Sequence, residues 1–138
     1  MSFNIKAFLA AISTLLIGWL GGWDKPLQIL VAFVILDAVA GLVLALKEKR
    51  FSSFLGLVGY TRKIGYFLVV IAANYADMYL LRDTGTPWLR SATALYYAAQ
   101  EGGSFMANIS ALGIALPAFL TDFLQKEIER KSSKNAEV

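Results

Sequence analysis

The stretch from Pro26 to Leu46 constrains this chain more than any other, because its only ionisable side chain is Asp37. A helix needs about 20 largely apolar residues to cross roughly 30 Å of hydrocarbon, and this run is long enough to do so. The whole chain leans the same way: of 138 residues, 57% are hydrophobic and 17% charged, with a mean hydropathy of +0.57. A water-soluble domain runs at roughly 45–50% apolar and about 25% charged, so the surplus apolar surface calls for lipid. Cys and His are both absent. That excludes a disulfide scaffold, the usual zinc and haem sites, and Cys–His or Ser–His nucleophilic pairs, and no cofactor is expected. The net charge is +3, but the cations flank apolar runs, which fits membrane orientation rather than nucleic-acid binding.

Punctuation by charge, Gly and Pro predicts an all-α integral membrane protein with about four transmembrane helices, three being the alternative. The first span is Ala7 to Leu20, ended by Gly21-Gly22-Trp23-Asp24-Lys25-Pro26. Lys6 ahead of this run also suits a signal peptide, but no good small-x-small cleavage site follows, and the segment is read as a span. The second is Pro26 to Leu46 and the third Ile64 to Leu81, the latter preceded by an amphiphilic stretch, Phe51 to Tyr60, too short to cross. Trp88 to Leu120 is too long for one simple span. Gly102-Gly103 is expected to divide it into an amphiphilic helix and a crossing, with one kinked helix as the alternative. Residues 1–121 then form the transmembrane domain and 122–138 a charged tail expected to fray beyond Arg130.

Basic residues in short loops set orientation. Lys47, Lys49, Arg50, Arg62 and Lys63 face only Glu48 in the 47–63 connection, whereas the 21–25 turn has Lys25 with Asp24. The 47–63 connection is therefore expected in the cytoplasm, and four crossings put both termini there as well. Trp19, Trp23 and Trp88 all fall at the opposite interface, where indole rings favour the headgroup layer.

The polar residues inside apolar segments are the candidate functional residues, because each is costly in hydrocarbon unless it faces protein or water. Asp37, Gly41 and Ala45 form one stripe, suited to packing within a subunit or between subunits. Asn74 and Asp77 share a face with Val70 and Leu81, and Asp77 has Arg82 as a possible partner near the helix end. Arg90, Ala94, Tyr97, Glu101, Ser104, Asn108, Ala111 and Ala115 recur at steps of three and four, a small or polar face that either lines a wet path or joins helices. No base, nucleophile or phosphate loop accompanies these acids, so the chain is not read as an enzyme.

Ile35-Leu36-Asp37 with Gly41, then Lys47-Glu48-Lys49-Arg50-Phe51-Ser52-Ser53 with Gly56, Gly59 and Lys63, then Asp77, and Tyr96-Tyr97-Ala98-Ala99-Gln100-Glu101-Gly102 through Ser104, Asn108, Gly113 and Pro117, together form an ordered set. Over residues 25 to 125 the chain resembles the toxin-secretion/phage-lysis holin family. It departs at Gln100, where the family often has Asn, and at Ala107, where it often has an acid. The resemblance implies a non-enzymatic multi-pass protein of the bacterial cytoplasmic membrane that forms homo-oligomers and opens timed lesions. An endolysin or a large toxin is then released as cargo without specific binding. A small channel or transporter subunit and an antiholin-like accessory protein are the alternative readings.

Overall fold

Asn4 begins the first helix by accepting hydrogen bonds from the backbone N–H groups of Lys6 (3.2 Å) and Ala7 (3.4 Å), which supplies two donors the helix itself cannot satisfy. The computed structural model describes residues 4–49 and 53–136. Among them five α-helices follow in order: α1 Ile5–Trp19, α2 Lys25–Glu48, α3 Ser53–Leu80, α4 Trp88–Ala111 and α5 Ala118–Ala136, with a short 3-10 turn at Arg82–Thr84. No strand occurs among the described residues. By length and composition, α2 is the one helix among them long and apolar enough to cross a membrane, and α1 is a shorter apolar helix.

Three boundaries differ from those expected. Gly102-Gly103 does not break the chain, because α4 runs through it and stops at Ala111, where Gly113 takes the left-handed conformation (φ 87°). The third helix begins at Ser53 and not near Ile64, so the amphiphilic stretch before the expected span forms, from Ser53 onward, the first turns of the 28-residue α3. The tail, expected to fray beyond Arg130, is helical as far as Ala136, where α5 ends. Each difference has the same origin: helical hydrogen bonds are local and continue until a residue with φ > 0 or a proline stops them.

α1 and α4 end in the same way. At the end of α1, Gly22 N–H donates to Ile17 O (2.9 Å) and Gly21 N–H to Gly18 O (3.1 Å). At the end of α4, Ile114 N–H donates to Ile109 O (3.3 Å) and Gly113 N–H to Ser110 O (3.0 Å). Both are Schellman motifs, with the left-handed position filled by Gly21 (φ 87°) and Gly113 (φ 87°).

The chain divides into two compact units, Met1–Ala32 with Ser52–Ala98 and Phe33–Phe51 with Ala99–Val138. In the first unit, α3 buries Tyr66, Val70, Asn74 and Asp77 at steps of four, four and three, while α4 buries Arg90, Ala94 and Ala98 and α2 buries Leu27 and Leu30. Tyr66 stacks on Tyr97 with ring centroids 4.3 Å apart, and Asp77 meets the start of α4, so α3 and α4 run antiparallel there. In the second unit, Phe33 lies against Gly102, Asp37 against Asn108 and Lys47 against Leu112, so α2 and α4 run parallel.

Polarity is distributed opposite to that of a water-soluble protein. Asn74, Asp77, Arg90 and Glu101 are buried, whereas Leu9, Leu15, Ile35, Val39, Leu46, Ile64 and Leu68 are among many large apolar side chains left exposed. A soluble monomer rarely presents so much contiguous apolar surface; a helix bundle solvated by lipid does.

Candidate functional site

Arg90 organises the first of two polar clusters. It is the largest fully buried side chain described, at 1% exposure. As the third residue of α4 it sits where the helix dipole disfavours a cation, so it needs partners from elsewhere. It has three. Nη1 donates to Asp24 Oδ2 (2.6 Å), Nη2 to Gly22 O (2.7 Å), and Nε to Leu20 O. Two of these acceptors are carbonyls at the C-terminal end of α1, where partial negative charge accumulates. The planar guanidinium can meet all three at once, which an ammonium cannot.

The other members hold the same junction. Asp77 on α3 accepts from the backbone N–H groups of Leu89 (3.0 Å) and Arg90 (2.8 Å), so it caps the start of α4 from a neighbouring helix. It does not pair with Arg82, which is exposed and lies 3.9 Å from the still more exposed Asp83, because the first-turn N–H groups of α4 occupy both Asp77 oxygens. Asn74 Nδ2 donates to Trp19 O (3.0 Å). Asp24 also caps α2 through Leu27 N–H (3.4 Å). Burial pushes the Asp24 carboxyl up, but the Arg90 hydrogen bond and charge, with the Leu27 N–H, outweigh it and hold it below the usual carboxylate range. Around this junction Trp19, Trp23 and Trp88 are all exposed.

The second unit contains the other cluster. Asp37 Oδ1 accepts from Asn108 Nδ2 (3.0 Å). A Cβ placed on Gly41 would lie 3.6 Å from the same Asn108 nitrogen, so the Asp37–Gly41 stripe packs on α4 within the chain. Ala45, further along it, is half-buried. Glu101 is buried at 3% exposure and Gly102 beside it is buried as well. Lys47 Nζ donates to Leu112 O (3.2 Å), the C-cap carbonyl of α4, just as Arg90 donates to Leu20 O, the C-cap carbonyl of α1. Basic side chains thus close both Schellman ends.

Not every candidate joins a cluster. Ser104 is exposed and Ala115 lies beyond the end of α4, so the small-residue face is shorter than its spacing predicts. Tyr97 is half-buried against Tyr66. Of the basic anchors, Lys49 and Arg62 are exposed, Lys63 is half-buried, and Arg50 lies outside the described residues. The spacing of polar residues missed Asp24 and the central part played by Arg90. Both carried a signal: Asp24 stands directly before Lys25-Pro26, a helix-start position, and Arg90 is a cation at a helix N-terminus. No group of three or more acids suited to a metal ion occurs among the described residues.

An all-helical chain with a membrane-length apolar helix, exposed apolar side chains and polar side chains turned inward is consistent with the class of helical membrane proteins held together by contacts between helices. Within that class, residues 14–127 match the bacteriophage holin family, and the chain belongs to it. It is 35% identical over 120 residues to a protein of Bacillus phage phi105 named a probable holin, covering 85% of this chain and 87% of that one. It is 33% identical over 129 residues to an uncharacterized protein of Clostridium perfringens strain 13, covering 94% and 93%. An uncharacterized Bacillus subtilis protein is 37% identical over 118 residues, covering 85% and 82%. No solved structure matches. Membership of this family suggests a non-enzymatic protein of the cytoplasmic membrane.

Proposed function

We propose that the chain is a holin that crosses the bacterial cytoplasmic membrane four times with both termini in the cytoplasm, associates with copies of itself, and opens lesions through which an endolysin or a large toxin leaves the cell. The observation that carries this reading is the inverted distribution of polarity, with Arg90, Asp77, Asn74 and Glu101 inside and apolar side chains of α1, α2 and α3 outside, in a member of the bacteriophage holin family. α3 has 28 residues and α4 has 24, so each is long enough to span at about 1.5 Å per residue. Their polar residues lower their mean hydropathy, but the fold turns several of these groups inward, where they cost less than in lipid. The parallel run of α2 beside α4 and the antiparallel run of α3 beside α4 support the alternation that four crossings require.

In this arrangement the Arg90 junction and the three tryptophans lie at the outer interface, while Asp37 and Glu101 lie near mid-membrane. Polar pairs satisfied within one chain favour a stored, closed form. Exchange of such contacts for contacts between copies, once the surface density is high enough, gives a steep onset by mass action.

Inducible expression in a bacterium, with membrane potential and release of a folded cytosolic reporter enzyme followed together, tests the reading. Sudden depolarisation coincident with reporter release after an expression-dependent lag is the expected result. Gradual depolarisation without release would overturn it in favour of a selective channel, and no effect at a confirmed membrane level would favour an accessory protein.

A further inference from the structure

The C-terminal part of the chain carries a helix whose exposed side chains are not used by either polar cluster. On α5, Phe119, Phe123, Lys126, Arg130 and Lys134 follow one another at steps of four, three, four and four, which places them along a single line of the helix. All five are exposed, Phe119 at 71% and Phe123 at 49%. Asp122 and Glu129, seven residues apart, fall on a different line, while Glu127, four residues after Phe123 and three before Arg130, borders the stripe; the stripe itself carries three cations.

The end of α4, from which the chain leads into α5, is tied to α2 by the bond from Lys47 to Leu112 O. This bond holds the C-terminal end of α4 at the level where α2, the membrane-length helix, finishes. Only residues 113–117 separate that level from the first residue of α5, so Phe119 and Phe123 start within a short connection of it and the cations follow. Exposed Phe beside a bilayer lowers its free energy by entering the acyl boundary, and Lys and Arg three to fifteen residues further on reach headgroup phosphates.

We propose that α5 lies in the plane of the cytoplasmic leaflet as an anionic-lipid anchor, with Phe119 and Phe123 in the acyl boundary and Lys126, Arg130 and Lys134 on phosphatidylglycerol-type headgroups. The occupant is lipid, by charge complementarity and by continuity with the apolar surface of the helices that precede it. The proposal rests on reading α2 as a membrane span. Its consequence is that the C-terminal segment is part of the membrane-bound body and not a free tail.

Amide hydrogen exchange on the full chain, at one copy per nanodisc, provides the test. α5 amides are expected to exchange at least about tenfold more slowly in discs of phosphatidylglycerol and phosphatidylcholine than in phosphatidylcholine alone. The difference is expected to vanish in the Lys126→Gln, Arg130→Gln, Lys134→Gln variant and protection to fall in the Phe119→Ser, Phe123→Ser variant, with α2 amides unchanged in both. Equal α5 exchange in the two lipids and in the variants, with α2 still protected, overturns the anchor. Fast exchange in α2 as well overturns the transmembrane reading beneath it. Protection that arises only in discs holding several copies makes the occupant a second chain and likewise overturns the anchor.

Discussion

Arg90, 1% exposed, places Nη1 2.6 Å from Asp24 Oδ2 while its other two nitrogens reach carbonyls of Leu20 and Gly22. One side chain from the start of α4 thereby closes the end of α1 and ties both to the start of α2. Removing the guanidinium strands a partly buried carboxylate and two helix-end carbonyls. Arg90→Ala is expected to cost about 3 kcal/mol, at the lower end for a broken buried pair because Asp24 is partly open to solvent. Arg90→Lys recovers less than half of that, since a single ammonium cannot serve three divergent acceptors. Thermal unfolding in detergent measures both.

Gly21 makes that approach possible. Its φ of 87° is left-handed, and a Cβ there would collide with Asn74 Oδ1 and Arg90 Nε. Gly22 also has positive φ (110°), but a Cβ on it meets nothing within 4 Å. Gly22→Ala is expected to cost only backbone strain, about 1–2 kcal/mol, and Gly21→Ala at least about 1 kcal/mol more because it also displaces the Arg90 junction. Equal losses of stability for the two variants would contradict this geometry.

Asp24 makes the junction sensitive to acid. Its carboxyl is held below its ordinary range in the folded chain, so its contribution is complete above that range and lost as pH falls through the folded value. Stability of the wild type is expected to drop more steeply than that of Asp24→Asn below about pH 4, with the two curves parallel above it. The difference is expected to be no more than about 1 kcal/mol, because the Asp24 side chain is 42% exposed and solvent screens the pair. Unfolding midpoints measured from pH 3 to 7 for both proteins check the sign.

Asp37 and Asn108 form the corresponding contact in the second unit, at 3.0 Å. A double-mutant cycle with Asp37→Leu and Asn108→Leu is expected to yield a coupling of about 1 kcal/mol, the scale of hydrogen bonds between membrane helices. Gly41→Ala should be tolerated, since its Cβ would sit 3.6 Å from Asn108 Nδ2, whereas Gly41→Leu should separate the pair. Asp37→Leu and Glu101→Leu are both expected to shift the time of lysis on induction at equal membrane levels. Wild-type timing in both would remove these acids from the triggering step.

Much of this architecture is legible in order of residues alone. The apolar run from Pro26 to Leu46 became α2, the Gly21-Gly22 turn ended α1, and the repeat Val70, Asn74, Asp77 marked an inward face of α3. These are local properties: helical periodicity, glycine at a left-handed position and apolar composition act over a few residues. The recurrence Arg90, Ala94, Glu101 likewise marked the inward face of α4, although the exposed Ser104 does not lie on it.

The sequence by itself determined that the chain is helical, that it carries a run of membrane length, and which polar residues fall within apolar surroundings, because composition and period need no knowledge of neighbours. Tertiary structure alone decided where each polar group finds its partner and what Gly102 packs against. Gly102 reads as a breaker in isolation, yet it lies inside α4, where a Cβ would come 3.4 Å from the Phe33 ring. The glycine there serves close packing between helices, and the break falls at Gly113 instead. Arg90, Asp24 and Gly22 are brought together across 66 to 68 positions of sequence, and no local pattern encodes a distance that only the packed helices create.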